Sequence, residues 1–423
     1  MTSTGDSAQS GAWTALPAHR AWLDAEGDRL LAFAETAATV AGPGFGWLDD
    51  VGRPDTEQPP QLWITARMTH VFALACLRGR PGAGLLVDRG LAALTGPFRD
   101  AEHGGWFSSL TATGGPAETG KSAYDHAFVV LAAASATAAG RPGAAELLTE
   151  ALDVVERHFW SDDEGRGVES WDRTWTELEA YRGANSNMHT VEAFLTAAAV
   201  TGDDRWLIRA TSIAEHLVHT AARDNGWRLP EHFDPKWQPL PEYNADRRTD
   251  KFRPYGSTPG HWLEWSRLLL HLEAALGAAA PEWLLPDARS LFDAAVEVGW
   301  AADGAPGFVY TLDWSDRPVV ASRLHWVLTE AIGAAAALAR RTGDPGYEQW
   351  YRTFWDEAAA RFLDLDRGSW VHELPVGDSD AVWLGKPDIY HAYQATLLPR
   401  LPLAPVLAAA LRQQLGEAGA RDA

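Results

Sequence analysis

Long Ala/Leu-rich stretches with apolar residues at helical spacing alternate along the chain with short Gly-aromatic segments, in which apolar and polar residues follow one another singly. The helical stretches come in pairs, such as Ala123 to Ala139 with Ala144 to Phe159, and Ser186 to Thr201 with Trp206 to Thr220. Within a pair the break is tight. TGDDRW at Thr201 and TGDPGYEQW at Thr342 each supply a Gly that stops one helix and an Asp that caps the next. The Gly-aromatic segments read GFGWLDD from Gly44, GGWFSSL from Gly104, GRGVESWD from Gly165, NGWRLPEHF from Asn225, GFVYTLDW from Gly307 and GSWVHEL from Gly368. Their spacing is nearly constant except for the fourth interval, which is lengthened by a Pro- and charge-rich stretch from His232 to Arg253. A unit of helix, turn, helix and hairpin repeated in this way predicts an all-α (α/α)6 barrel, a toroid of six helical hairpins with short β-hairpins at one end. It is expected to form one catalytic domain over residues 1–423. An open solenoid is the competing architecture, and it would call for polar capping repeats that neither end supplies.

Polar residues interrupt the apolar pattern at one recurring place, the start of the helix after each hairpin. The clusters are LWITARMTH from Leu62, KSAYDHAF from Lys121, GANSNMHTVEAF from Gly183, RPYGSTPGHWLEW from Arg253, SRLHWVLTE from Ser322 and KPDIYHAY from Lys386. Arg67 and His70, His189 and Glu192, and His261 and Glu264 are i,i+3 pairs, and Trp326 and Glu330 are an i,i+4 pair, so each pair shares a helical face. A single buried His on a helix is ordinarily a hydrogen-bonded core residue. Six such clusters at equivalent repeat positions predict instead one pocket built from six directions.

Composition narrows what that pocket serves. The 423 residues carry a formal charge of -21, a field that disfavours both nucleic acid and anionic membrane as partners. Lone Cys76 forms no internal disulfide, the N-terminal residues lack the pattern of a secretory signal, and no apolar run is long enough to span a bilayer; a cytoplasmic protein is expected. Most of the 21 Trp must be packing, although an indole also stacks on sugar faces.

Three chemistries suit the clusters. The His and Glu spacings contain no H-E-x-x-H and run opposite to the Glu-x-x-His order of di-iron bundles, so no metal is expected. Glu192, Glu264, Glu330 and Asp388 could furnish the two carboxyls of an inverting glycoside hydrolase. A histidine in every cluster fits proton transfer beside a sugar carbonyl, since imidazole titrates near neutrality. Ser and Cys nucleophiles, a phosphate loop and a dinucleotide fingerprint all lack their motifs.

From about Trp63 to Leu401 the chain resembles the N-acylglucosamine 2-epimerase superfamily of (α/α)6-barrel sugar epimerases and isomerases. RMTHVFALA from Arg67, NMHTVEAFLTAAAVTGD from Asn187, PGHWLEWSRLLL from Pro259 and KPDIYHAYQATLLP from Lys386 are similar to the branch containing mannose isomerases and the sulfoquinovose isomerase. The resemblance implies His261 and His391 as the two proton-transfer residues. It further implies Arg67, Asn185, His189, Arg253, Glu264, Trp326, Glu330 and Trp63 as sugar contacts or polar support, with Glu264 fixing the imidazole of His261. The implied reaction is interconversion of D-mannose and D-fructose through a cis-enediol, with D-lyxose and D-xylulose as an analogous pair and no cofactor. His391 would shuttle the proton between C2 and C1 while His261 assists ring opening. A 2-epimerase of the mannose/glucose or cellobiose type and a sulfoquinovose isomerase are the alternatives. The implied partner is a small monosaccharide, with monomer and homodimer both open.

Overall fold

The structure, a computed structural model, describes residues 11–40, 42, 44–376 and 381–421. Helix α1 (Pro17–Ala34) precedes five sequential hairpins: α2 (Leu62–Leu77) with α3 (Ala83–Thr95), α4 (Ala123–Ala138) with α5 (Ala144–Val154), α6 (Ala184–Thr201) with α7 (Arg205–Ala214), α8 (Pro259–Leu276) with α9 (Leu284–Gly299), and α10 (His325–Thr342) with α11 (Pro345–Glu357). Then follow α12 (Tyr390–Leu397) and α13 (Leu407–Arg421). The even-numbered helices form a ring in which each touches the next and α12 returns to α2, while the odd-numbered helices up to α11 lie outside it. This is the expected (α/α)6 toroid. Its sixth pair is not a sequential hairpin, because α12 finds its outer partner in α1 from the other end of the chain.

The expected turn chemistry operates where the inner helices end. Gly202 and Gly343 sit at φ +70° and +71°, and their N–H groups bond to Ala198 O and Ala339 O, a left-handed cap that a side chain would strain. Asp344 then caps α11 by accepting from the Gly346 N–H. Inner helices are buried on nearly all faces, and small residues let them approach: Ala132, Ala133, Ala134 and Ala136 of α4 are all buried. Outer helices α5, α7 and α11 continue into wider π-helical turns, Val155–Phe159, Glu215–Ala222 and Ala358–Phe362, which end with Phe159, Ala222 and Phe362 in the core.

The hairpins do more than connect. The residues just before an inner helix pair with the hairpin of the following unit: Lys121–Ser122 with Ser170–Trp171, Arg182–Gly183 with His232–Phe233, and Arg323–Leu324 with Glu373–Leu374. Accordingly the first N–H of α4, α6 and α10 donates to the carbonyl of Glu169, Glu231 and His372 respectively, at 2.8, 3.0 and 3.0 Å. Those three hairpin residues are buried at the same end of the toroid as the polar helix starts. At the opposite end α13 lies across α2, α4 and α6. Among the described residues no helix is long and apolar enough to cross a membrane.

Candidate active site

A cavity of about 630 Å³, counting its mouth, opens among the N-terminal turns of the six inner helices. Trp63 and Arg67 reach it from α2, Tyr124 from α4, Asn185 and His189 from α6, His261 and Glu264 from α8, His325 and Trp326 from α10, and Asp388 and His391 from the start of α12. Eight of the ten residues expected from sequence therefore line one pocket. Arg253 and Glu330 do not.

Both expected proton-transfer histidines are oriented from behind by a carboxylate. His261 Nδ1 lies 2.9 Å from Glu231 Oε2, and His391 Nδ1 lies 2.9 Å from Glu330 Oε1. A carboxylate accepts, so each Nδ1 carries the proton and each Nε2 is left as the basic atom, the pattern that fixes tautomer and ring direction together. Trp326 stands between them, its ring centroid 5.2 Å from that of His261 and 5.7 Å from that of His391. Gly260 makes room for it, since a Cβ there would stand 2.5 Å from the indole. Burial, with the positive charge of Arg67 next, holds the His391 imidazole well below its usual range, so it rests as a neutral base.

The assignment of Glu264 as the residue that fixes His261 is corrected by this geometry. Glu231, whose Oε1 also accepts from the Thr258 N–H at 3.1 Å, holds His261, whereas Glu264 faces Arg267 at 3.4 Å and His189 at 3.9 Å. Helical spacing put Glu264 on the right face, but a hairpin carboxylate reaches Nδ1 first. Glu330 likewise does not line the cavity. Its two oxygens are taken by His391 and, at 2.8 Å, by Arg267 Nε. Arg253 is turned onto Glu179 in a two-point ion pair at 2.6 and 2.9 Å and stacks 4.1 Å from the Tyr181 ring centre.

The floor of the pocket is a layer of acids around one buried guanidinium. Burial and the neighbouring Glu330 charge raise the Glu264 carboxyl well above its ordinary value. Glu192 goes the other way; burial opposes ionisation, but His189 and Arg267 outweigh it, and Tyr390 OH donates to the carboxylate. Burial brings His189 down to about 4. Two groups, His189 with Glu192 and Glu264, and Glu264 with Glu330 and His391, bring ligand-type atoms within 4.8 Å of one another. Arg267 bonds to Glu330 and approaches Glu264, so the second group already holds a fixed cation, and the arrangement reads as an ion-pair network.

Above this floor Arg67 pairs with Asp388 at 3.4 Å and donates to Tyr124 OH at 2.7 Å, leaving its buried Nε without a partner. Asn185 Oδ1, His372 Nε2 and Trp383 Nε1 are also buried and unpartnered among the described residues. The long fourth interval reaches the pocket: Lys251 and Phe252 line it, and Phe252 packs on Trp63, Tyr124 and Trp383. Glu231, Tyr124, His325, His372, Tyr310 and Trp383 were not singled out from sequence. Tyr124 and His325 lay within the quoted helix-start clusters, and Glu231 and His372 within quoted Gly-aromatic segments, so position in the repeat was the signal available for them.

A chain described as D-mannose isomerase from Thermobifida fusca is 59% identical over 405 residues, covering 94% of this chain and 98% of that one. Another so described, from Pseudomonas cannabina pv. alisalensis, is 54% identical and covers 94% and 97%. Among solved structures, a D-mannose isomerase superposes with TM-score 0.84 at 27% identity, covering 91% of this chain and 99% of that one. Cellobiose 2-epimerase from Spirochaeta thermophila, with TM-score 0.78, 22% identity and coverage of 94% and 97%, shares the fold. Residues 44–395 match the family model for N-acylglucosamine 2-epimerase, and the chain belongs to that family.

Proposed function

We propose that this chain is an aldose-ketose isomerase that interconverts D-mannose and D-fructose, with D-lyxose and D-xylulose as a slower pair. The observation that carries the chemistry is the pair of inward-facing imidazoles, each with Nδ1 on a carboxylate 2.9 Å away. The substrate follows from two relatives, more than half identical over nearly the whole chain, that are described as D-mannose isomerases.

The sugar enters as a pyranose. His261 passes a proton between the anomeric hydroxyl and the ring oxygen, breaking the C1–O5 bond and leaving a C1 aldehyde. With the chain open, His391 Nε2 removes the proton on C2; the C2 electron pair forms the C1–C2 double bond and the aldehyde oxygen takes up a proton, giving a cis-enediol. His391 then delivers its proton to C1 while the C2 hydroxyl gives up its own, and the product is the ketose. Arg67 suits the task of holding the developing oxyanion, because it is a fixed cation lining the pocket. Each step couples a proton transfer to a shift of the sugar's own electron pairs, C1 being reduced as C2 is oxidised.

Of the four acids that would serve a glycoside hydrolase, Glu192 and Glu330 do not line the pocket, and Asp388 is paired with Arg67. The reading is tested by incubating EDTA-treated enzyme with D-mannose in deuterated water and following products by NMR. Fructose deuterated at C1 is expected. Deuterated glucose as the first product would make the chain a 2-epimerase.

A further inference from the structure

Three hairpin residues occupy equivalent positions, each accepting at its carbonyl from the first N–H of an inner helix, and their side chains invite comparison. Glu169 accepts from Ser186 Oγ at 2.6 Å, and Glu231 holds His261. His372 finds no side-chain partner of that kind: its ring interacts with the Asp388 backbone, but its Nε2 is buried and unmatched among the described residues, and the ring lines the pocket. It does not stand alone. The His325 ring stacks on it with centroids 3.8 Å apart and planes 22° from parallel. His325 Nδ1 lies 3.2 Å from the His372 carbonyl, which only accepts, so His325 keeps its proton on Nδ1 and offers Nε2 as an acceptor.

We propose that His372, stacked on His325, is a specificity-determining pair that receives hydroxyls of the sugar beyond the two reacting carbons. Two stacked imidazoles 3.8 Å apart on one wall of the pocket are spaced to meet hydroxyls on neighbouring carbons. Both rings are held neutral by burial, His325 down to about 4, so the pair contributes hydrogen bonds without a charge that would compete with Arg67. A buried polar atom left empty costs free energy that a substrate hydroxyl removes, and an analogue lacking that hydroxyl is penalised. The inference rests on the monosaccharide reading, so wild-type turnover of D-mannose is measured first; failure there would count against that reading and not against the pair.

The test compares kcat and KM for D-mannose and its 3-, 4- and 6-deoxy analogues in wild type, His372→Phe and His372→Gln, with calorimetric binding of D-mannitol as a readout independent of turnover. Phenylalanine keeps the stacked ring and removes the acceptor. Wild type is expected to disfavour at least one deoxy analogue by about 30-fold in kcat/KM. His372→Phe should lose that discrimination by raising KM for D-mannose while kcat changes less than about threefold, and His372→Gln should restore part of it. Equal losses on D-mannose and on every analogue, with unaltered mannitol affinity, would make the stack purely structural and overturn the proposal.

Discussion

The two histidine arms of the site begin alike and end differently. On the α8 side His261 leans on Glu231, a hairpin residue whose second oxygen takes a backbone N–H. On the α10/α12 side His391 leans on Glu330, a helix residue whose second oxygen takes the Arg267 guanidinium. A carboxylate shared with a fixed cation pulls less strongly on the imidazole proton than one facing an amide, so the Glu330 arm should favour the neutral ring, in keeping with the lowered His391 imidazole. The difference matches the division of labour proposed above, in which His391 must be a free base before it meets C2.

Removing the rings themselves breaks the comparison hardest. His391→Ala is expected to lower kcat by about 10³ to 10⁴, the upper range for a positioned acid/base, and to abolish deuterium exchange at C2. His261→Ala should lose about 10², because open-chain sugar still forms without assistance and His391 remains to exchange the C2 proton. Rapid-quench NMR separates the two, and C2 exchange persisting in His391→Ala would exchange the roles.

The supporting acids come next. Glu330→Gln removes the nearer of the two carboxylates facing buried Arg267, at 2.8 Å against 3.4 Å for Glu264, and weakening this buried pair should cost up to about 3 kcal/mol in denaturant melts alongside lost turnover. Glu231→Gln leaves no cation stranded, so it should cost about 1 to 2 kcal/mol and act mainly on kcat. Equal destabilisation by the two would show that Arg267 does not distinguish the arms.

How much of this was legible in the sequence divides along the same line. Glu330 and both histidines could be read because they sit on Ala-rich inner helices, where periodicity assigns a face and any polar residue stands out. Glu231 could not be assigned a partner, because its contact with His261 depends on a hairpin pairing back onto the preceding unit, and helical spacing carries no information about that register. Arg253 shows the converse. It opens a cluster like the others, but Glu179, far off in the chain, captures it before it reaches the pocket. The ring closure by α1 and α12 was hidden for a related reason, as a repeat announces neighbours in sequence and is silent on which ends meet.

The smallest effect isolates burial from catalysis. His271 belongs to neither arm; it is buried near the α13 end, with Nδ1 donating to Ala404 O at 2.6 Å, and burial with nearby Arg267 brings it down to about 4. In the unfolded chain it titrates near the ordinary imidazole value of 6.5. Between those two pH values the unfolded state binds a proton that the native state refuses, so stability rises with pH and is lost as pH falls from about 6.5 to about 4. His70 and His325, also brought to about 4 by burial, and His126, brought to about 3, act in the same direction. His271→Asn keeps an N–H for Ala404 and removes the titration. It should flatten the stability-against-pH slope in that window by about 1.4 kcal/mol per pH unit while leaving kcat at neutral pH within about twofold. Urea melts at several pH values read the slope. If the slope were unchanged, His271 would already be charged in the folded protein, and the positive field of Arg267 would have to be quenched by the acids around it more completely than their hydrogen bonds to Tyr390, His391 and Arg267 allow.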